Sequence, residues 1–223
     1  MKAYSHSFRL SMATVLAMLL GSYVFASEAH AGDLREISRV NQGISIEGAE
    51  RVGDVSSVNG GIRIADGASA FEVSTINGSI TLGDGVQVSS AQTVNGRIRV
   101  GSDVTVQGSL ETVNGSIRTG SGTHVEKAIE TVNGSISVRN TQVGEDIETA
   151  NGNIELLNGS VVAGDLIVRG KHQWWDRLFD FSRKRPDITI DGDSRVLGDI
   201  HLYQEVDLHI SRDAVVGEII EHF

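Results

Sequence analysis

The chain has 223 residues, a net charge of −10 at neutral pH and no cysteine. Such an acidic charge argues against nucleic acid as a partner, and the missing cysteines exclude disulfides and lipidation of an N-terminal cysteine. A long apolar stack, rather than disulfides, must therefore hold the fold together.

Residues 1–31 have the form of a secretory signal peptide. Two basic residues precede an apolar run over 10–26, and small residues ending at Ala31 follow. We expect cleavage after Ala31, with Ala26 as a second acceptable site; an uncleaved membrane anchor is the alternative, although it needs a longer apolar run. Cleavage leaves 192 residues and removes two basic residues and one acidic residue, so the net charge becomes −11. The sequence therefore predicts a periplasmic or secreted protein.

The remaining residues, 32–223, are organised around a repeated Val-Asn-Gly-x-Ile-x-Val motif. Its asparagines lie 18, 18, 18, 19, 19 and 18 residues apart, at Asn41, Asn59, Asn77, Asn95, Asn114, Asn133 and Asn151. A unit this short cannot bury its own apolar face, so it must stack on its neighbours into one continuous core. Such a repeat indicates a solenoid domain.

Apolar or small residues recur every six positions, so three six-residue segments make one 18-residue coil. The series is Ile46, Val52, Val58, Ile64, Ala70, Ile76, Leu82, Val88, Val94, Val100 and Val106. Triplets such as Ile62-Arg63-Ile64 alternate apolar and polar residues, as β-strands do, and their middle residue should face solvent. We therefore predict an all-β fold, a single-stranded triangular parallel β-helix of about nine coils. The 19-residue spacings indicate a bulge or a wider turn.

The Asn-Gly pair is expected at a corner, because both residues adopt left-handed backbone conformations at low cost. Side-chain amides both donate and accept hydrogen bonds, so they can link successive coils. The predicted asparagine ladder comprises Asn59, Asn77, Asn95, Asn114, Asn133 and Asn151. Contact with a ligand is one alternative. Two-residue hairpins are another, but they would give shorter and alternating spacings.

Three sets of polar residues also recur once per coil. They are the carboxylates Glu111, Glu130 and Glu148, the threonines Thr75, Thr93, Thr112, Thr131 and Thr149, and the arginines Arg63, Arg99 and Arg118 with Arg97 nearby. The carboxylates would lie about 4.8 Å apart, close enough to bind a cation, but we interpret them as a solvated face. The threonines are expected to form a cross-strand hydroxyl ladder. The arginines form a local basic patch that could contact an anionic glycan.

An insertion at 171–186 interrupts the repeat. Val168-Arg169-Gly170 reads as a degenerate Val-Asn-Gly corner, and the coil pattern resumes at Ile188. At about 100° per residue, the apolar side chains of the insertion lie within an arc of about 160°, which predicts a looped-out amphipathic helix. The candidate interaction residues are Trp174, Trp175, Leu178, Phe179, Phe181, Arg183, Lys184 and Arg185. They either fold back on the solenoid or dock on a membrane surface or an envelope protein.

Four short segments resemble the Val-x-Gly-Asp-Ile repeats of bactofilins, the polymer-forming bacterial cytoskeletal family. They are residues 51–55, 162–166, 196–200 and 215–219, and the resemblance covers about residues 40–223 apart from the insertion. It implies a right-handed coil that associates end to end without a nucleotide. Bactofilins are typically cytoplasmic, whereas this chain carries an export signal.

Two classes of enzyme resemble this architecture. Hexapeptide-repeat acyltransferases use a similar triangular solenoid with an outlooped segment and a His base, and His172 lies at the start of the insertion; acyl-CoA, however, is a cytosolic substrate. β-Helical polysaccharide lyases need clustered carboxylates, a cationic base and often calcium, and the glutamate column contains no Lys or Arg. We therefore predict no enzymatic activity, catalytic residue, metal site or cofactor.

The predicted function is a structural or scaffold role in the bacterial cell envelope, with self-association through the solenoid ends. Residues 32–40 read as a partial coil in which 37–40 match 55–58, and neither end of the repeat region carries a long amphipathic helix that could cap it. Open ends leave strand edges available for pairing. A glycan-binding or adhesin-like solenoid is the alternative.

Overall fold

The computed structural model describes residues 34–169 and 185–223, which form β-strands and turns without a helix. The predicted signal peptide at 1–31 and most of the predicted insertion at 171–186 lie outside these residues. The looped-out amphipathic helix therefore stays a prediction. In the described part, no helical segment has the length and apolar character needed to cross a membrane.

The described residues contain 24 short strands, which are joined by turns. In chain order they are β1 (Ile37–Arg39), β2 (Ile44–Ile46), β3 (Val55–Ser57), β4 (Ile62–Ile64), β5 (Ser69–Thr75), β6 (Ile80–Leu82), β7 (Gln87–Asn95), β8 (Ile98–Val100), β9 (Thr105–Val106), β10 (Leu110–Asn114), β11 (Ile117–Arg118), β12 (His124–Val125), β13 (Ile129–Asn133), β14 (Ile136–Arg139), β15 (Gln142–Val143), β16 (Ile147–Asn151), β17 (Ile154–Leu157), β18 (Val161–Val162), β19 (Leu166–Val168), β20 (Asp187–Ile190), β21 (Arg195–Val196), β22 (Ile200–Leu202), β23 (Asp207–Ile210) and β24 (Ile219–Glu221).

The strands stack in parallel into a β-solenoid of about nine turns, as predicted. A nine-stranded sheet runs β2-β4-β6-β8-β11-β14-β17-β20-β23. A 15-stranded sheet contains two columns of strands, which β5 and β7 join by running through a corner. We call them the short column (start of β5 and β7, then β9, β12, β15, β18, β21) and the long column (β1, β3, end of β5 and β7, then β10, β13, β16, β19, β22, β24). The triangular cross-section and the right hand of the coil stay predictions.

The strand register shows where the spacing changes from 18 to 19 residues. Val88 pairs with Val106 at a separation of 18, whereas Ala91 pairs with Leu110 at a separation of 19. The additional residue therefore lies in the turn between β9 and β10, which favours a wider turn over a bulge inside a strand. Every strand pairing among the described residues is parallel, and the corners that carry Asn-Gly pairs lie between parallel strands, so the hairpin alternative is wrong.

The six-residue series predicts most of the core correctly. Ile46, Ile64, Leu82 and Val88 are fully buried in the main cluster. The valine of the Val-Asn-Gly motif is the exception, because Val58 is 36% exposed and the equivalent Val94, Val113 and Val132 form a second cluster apart from the main one. In the long column, the inward apolar positions are instead occupied by Val73, Ala91, Leu110, Ile129, Ile147, Leu166 and Ile200.

The threonine column faces inward, so the predicted cross-strand hydroxyl ladder is wrong. Thr75 and Thr93 are buried, and their hydroxyls donate to the carbonyls of Gly60 and Gly78 in the preceding coil, both at 2.9 Å. Thr112, Thr131 and Thr149 repeat this contact. Each threonine hydroxyl therefore links its strand to the corner of the preceding coil.

The Asn-Gly corner depends on close packing rather than on left-handed backbone. Among its asparagines and glycines only Asn41 has a positive φ. A Cβ on Gly96 would lie 1.8 Å from the carbonyl oxygen of Gly78, and one on Gly115 would lie 1.7 Å from that of Gly96. Left-handed residues recur instead at the turns after the first seven strands of the nine-stranded sheet, at Ala49, Gly67, Gly85, Asp103, Gly122, Asn140 and Asn158.

Candidate functional site

The asparagine ladder is confirmed along seven coils. The Nδ2 of each asparagine donates to the Oδ1 of the asparagine one coil earlier, from Asn59→Asn41 at 2.7 Å to Asn151→Asn133 at 3.2 Å. The intermediate bonds join Asn77, Asn95, Asn114 and Asn133 at 2.8 to 3.0 Å. Each intermediate amide both donates and accepts within the stack, which supports the structural interpretation of the ladder.

Changing Asn114 to Ala is expected to lower the free energy of unfolding by about 1–2 kcal/mol. The change removes two bonds at once, one to Asn95 and one from Asn133, but the side chain is exposed and water replaces part of each bond. Urea unfolding of both proteins measures the difference. A midpoint equal to that of the parent protein contradicts a stabilising ladder.

A second ladder, built from aspartates, lies at the corner between the short and long columns. The backbone N–H of Asp165 donates to Asp146 Oδ1 at 2.7 Å, that of Asp199 donates to Asp165 Oδ1 at 2.8 Å, and that of Glu218 donates to Asp199 Oδ1 at 2.9 Å. The glycine before each donor is tightly packed, since a Cβ on Gly198 would lie 2.3 Å from Asp165 Oδ1. The Gly-Asp pair that carries the bactofilin resemblance is therefore a coil-linking device. This ladder was not predicted from the sequence.

The glutamate column lies on the outer face of the long column, but it is not the exposed surface that we predicted. Glu111, Glu130 and Glu148 pair in register, and Glu130 and Glu148 are only 8% and 3% exposed. Arg169, one coil further on, donates two hydrogen bonds to the Glu148 carboxylate at 2.8 and 3.1 Å. The interpretation of these glutamates as a solvated face is therefore wrong for Glu130 and Glu148, although the column itself contains no Lys or Arg.

Arg169 also corrects the alignment of the degenerate corner. Val168 pairs with Thr149, so Arg169 occupies the position of Ala150 and not that of Asn151. Its guanidinium lies 5.3 Å from the centre of the Tyr203 ring, and that ring stacks on His222 with ring centres 4.2 Å apart. In earlier coils the equivalent positions are apolar and form the second cluster, with Val94, Val113, Val132 and Ala150. Arg169, Tyr203 and His222 continue this column as a cation-π contact and an aromatic stack.

The pKa values of Glu148 and Arg169 reflect the cost of burying this ion pair. Burial raises the pKa of Glu148 above its usual value, and the hydrogen bonds and charge of Arg169 offset only part of that effect. Burial acts to lower the pKa of Arg169, but the hydrogen bonds and charge of Glu148, together with Tyr203 and Glu130, outweigh it and raise that pKa. Each charge therefore partly compensates the burial of the other, and removing either side chain would take away a charged partner from a largely desolvated group.

The predicted arginine patch lies on the exposed face of the nine-stranded sheet. Arg99 and Arg118 are directly opposed in β8 and β11, while Thr81 separates Arg99 from Arg63. Arg63, Arg99 and Arg118 are exposed. Arg97, two residues before Arg99, is exposed as well. The patch therefore contains one directly adjacent pair of arginines, bounded in the sheet by Thr81 and Ser137, rather than a continuous row.

The C-terminal end of the solenoid presents apolar residues that earlier coils bury. Leu208 and Ile210 occupy the positions of Ile188 and Ile190 one coil earlier, yet they are only partly buried where Ile188 and Ile190 are 0% and 1% exposed. Exposed side chains of Val215, Ile219 and Phe223 also belong to this end of the chain. We call this surface the open end.

Most of the predicted interaction residues cannot be placed in the fold. Trp174, Trp175, Leu178, Phe179, Phe181, Arg183 and Lys184 lie outside the described residues, as does His172. Arg185 is described; it is exposed and forms an ion pair with Glu205. Pro186 is buried, and its carbonyl accepts a hydrogen bond from the Asp207 N–H at 2.8 Å.

One group of side chains in the described part has the composition of a metal-ligand set. Asp165, Asp199 and His201 each offer one ligand atom, and these atoms lie within 4.8 Å of one another. The set was not predicted from the sequence, because its residues come from two coils that the insertion separates.

Comparison with known proteins adds no relative. No protein-family model, curated protein or solved structure matches the chain.

Proposed function

We propose that the protein is a non-enzymatic scaffold of the bacterial cell envelope that assembles through the ends of its solenoid. The observation that supports this most directly is the open end, where Leu208, Ile210 and Val215 leave apolar surface uncovered. The bactofilin resemblance agrees with such a role. The signal-like residues 1–31 support export to the periplasm or beyond it.

The backbone of the open end is suited to pairing with another chain. Ile200 N–H donates to the Glu218 carbonyl and His222 N–H donates to the Leu202 carbonyl, both at 2.8 Å. Successive residues of a parallel strand direct their backbone groups to opposite sides, so Ile219 and Glu221 direct theirs away from β22. These groups form a strand edge that a second copy can extend.

Replacing Ile219 by Pro is expected to abolish assembly while the isolated rod stays folded. Proline removes an N–H that faces the open edge and leaves the bonds between β22 and β24 intact. Sedimentation and electron microscopy of the mature protein measure assembly, and the β-sheet circular dichroism signal checks folding. Ile219→Ala, which retains the N–H, is the matched control and should still assemble.

The effects of salt and of deleting the insertion distinguish assembly through the solenoid ends from association through the insertion. Because each mature chain carries a predicted net charge of −11, assembly should strengthen with salt as repulsion is screened. If residues 171–185 drive association instead, deleting them should give a monomer, and the Ile219→Pro protein should still associate. A mature protein that sediments as a monomer at every salt concentration, with or without the insertion, overturns the scaffold proposal.

Glycan binding is the second candidate function, and the adjacent exposed Arg99 and Arg118 favour it. Guanidinium groups bind carboxylates and phosphates in a bidentate manner. A monomeric rod that binds anionic polysaccharide, and loses this binding in the Arg99→Ser, Arg118→Ser double variant, would support this function over assembly.

A further inference from the structure

We propose that Asp165, Asp199 and His201 form a divalent transition-metal site, with Zn²⁺ as the best-fitting ion, that joins the coils on either side of the insertion. The site differs from the open end in both residues and chemistry. It joins Asp165, which lies before the insertion, to Asp199 and His201, which lie after it.

The aspartate ladder orients the two carboxylates for this task. Oδ1 of Asp165 accepts the Asp199 N–H, and Oδ1 of Asp199 accepts the Glu218 N–H. Each carboxylate is thereby fixed by one oxygen, which leaves the second oxygen, Oδ2, to coordinate an ion. Both aspartates are half-buried, so they are not ordinary solvated surface carboxylates.

The imidazole of His201 completes the ligand set. His201 is 8% exposed, and its Nε2 lies 3.6 Å from Asp165 Oδ2. Two ligands of a tetrahedral zinc ion, each about 2.1 Å from the metal, are about 3.4 Å apart. The observed separation therefore fits coordination by both atoms after a shift of a few tenths of an ångström.

A second contact holds the ring of His201 in the orientation that a metal needs. His201 Nδ1 lies 3.1 Å from His222 Nε2, and His222 is itself held by stacking on Tyr203. Metal-binding histidines characteristically use their other ring nitrogen in a hydrogen bond of this kind. One nitrogen and two carboxylate oxygens suit a borderline ion such as Zn²⁺ better than Ca²⁺, which prefers oxygen ligands alone.

Titration calorimetry of the chelator-treated full chain with Zn²⁺ tests the proposal. We expect one saturable site per chain, and a rise in the thermal unfolding midpoint when Zn²⁺ is added, because an ion that binds the folded state stabilises it. Asp165→Asn, Asp199→Asn and His201→Gln should each weaken Zn²⁺ binding by about tenfold or more, and His222→Phe should weaken it by roughly 10- to 100-fold.

Matched variants keep the test decisive. Asparagine retains the Oδ1 acceptor of the ladder, so Asp165→Asn and Asp199→Asn should fold even if His201→Gln does not. Asp146→Asn changes a ladder residue outside the ligand set, and His209→Gln removes an exposed histidine near a single carboxylate, that of Asp187 at 3.8 Å; both should bind Zn²⁺ as the parent does. The absence of saturable binding, or binding that Asp165→Asn and Asp146→Asn leave equally strong, overturns the metal site and leaves only the contact between His201 and Asp165.

Discussion

Replacing Ile98 by Asp is expected to unfold several coils, with a loss of several kcal/mol in the free energy of unfolding. Ile98 is fully buried in β8, where it stacks between Ile80 and Ile117 of the neighbouring coils. A carboxylate at this point would be desolvated without a partner in the described core, which is among the most unfavourable changes a protein can undergo. Urea or thermal unfolding of the purified protein measures the loss.

The adjacent residue provides the control. Arg99 is exposed on the outer side of the same strand, so Arg99→Asp should leave the unfolding midpoint nearly unchanged. Equal destabilisation by the two variants contradicts the inward assignment of Ile98 and, with it, the alternation of the nine-stranded sheet.

The second large effect is expected from Gly96→Ala. The added methyl group would lie 1.8 Å from the Gly78 carbonyl oxygen and 2.5 Å from its carbonyl carbon, and backbone atoms cannot move aside as a side chain can. Overpacking of this kind typically costs about 1–3 kcal/mol. Because both partners are backbone, we expect at least the upper end of that range, again measured by urea unfolding.

The variant Gly85→Ala distinguishes the two reasons for a glycine at a turn, which are close packing between coils and a left-handed backbone. Gly85 has a φ of +65°, and no atom lies within 4 Å of the position that a Cβ would take, so alanine there meets only the left-handed backbone cost. That cost is about 1–2 kcal/mol. If conformational freedom were the reason for Gly96 as well, the two substitutions would have similar effects. A larger loss for Gly96→Ala supports close packing between coils.

The fold could be predicted from the sequence because two independent features of the repeat indicate it. Apolar triplets such as Ile62-Arg63-Ile64 fix which side chains face inward, and the asparagine spacing fixes the length of each coil. Both signals are local and periodic, so they survive without knowledge of tertiary contacts. The same logic located the asparagine ladder correctly, although it gave the wrong reason for the adjoining glycines.

The outer face could not be predicted in the same way. The burial of Glu148 and its pairing with Arg169 depend on a residue 21 positions away, outside the repeat motif. The group formed by Asp165, Asp199 and His201 depends on two coils meeting across the insertion. Periodicity indicates which residues occupy equivalent positions, but it does not indicate which non-equivalent side chains reach one another.

The strand register across the insertion shows how this solenoid accommodates a longer segment at one corner. Ile154 pairs with Ile188 and Leu166 pairs with Ile200, each at a separation of 34 residues in place of 18 or 19, and the sheets continue without a shift of inward positions. Loop-closure entropy grows only with the logarithm of loop length, so this near doubling costs about 0.6 kcal/mol. A single coil corner can therefore lengthen by about sixteen residues at a small entropic cost, and the segment it carries is released from the six-residue pattern that constrains the rest of the chain.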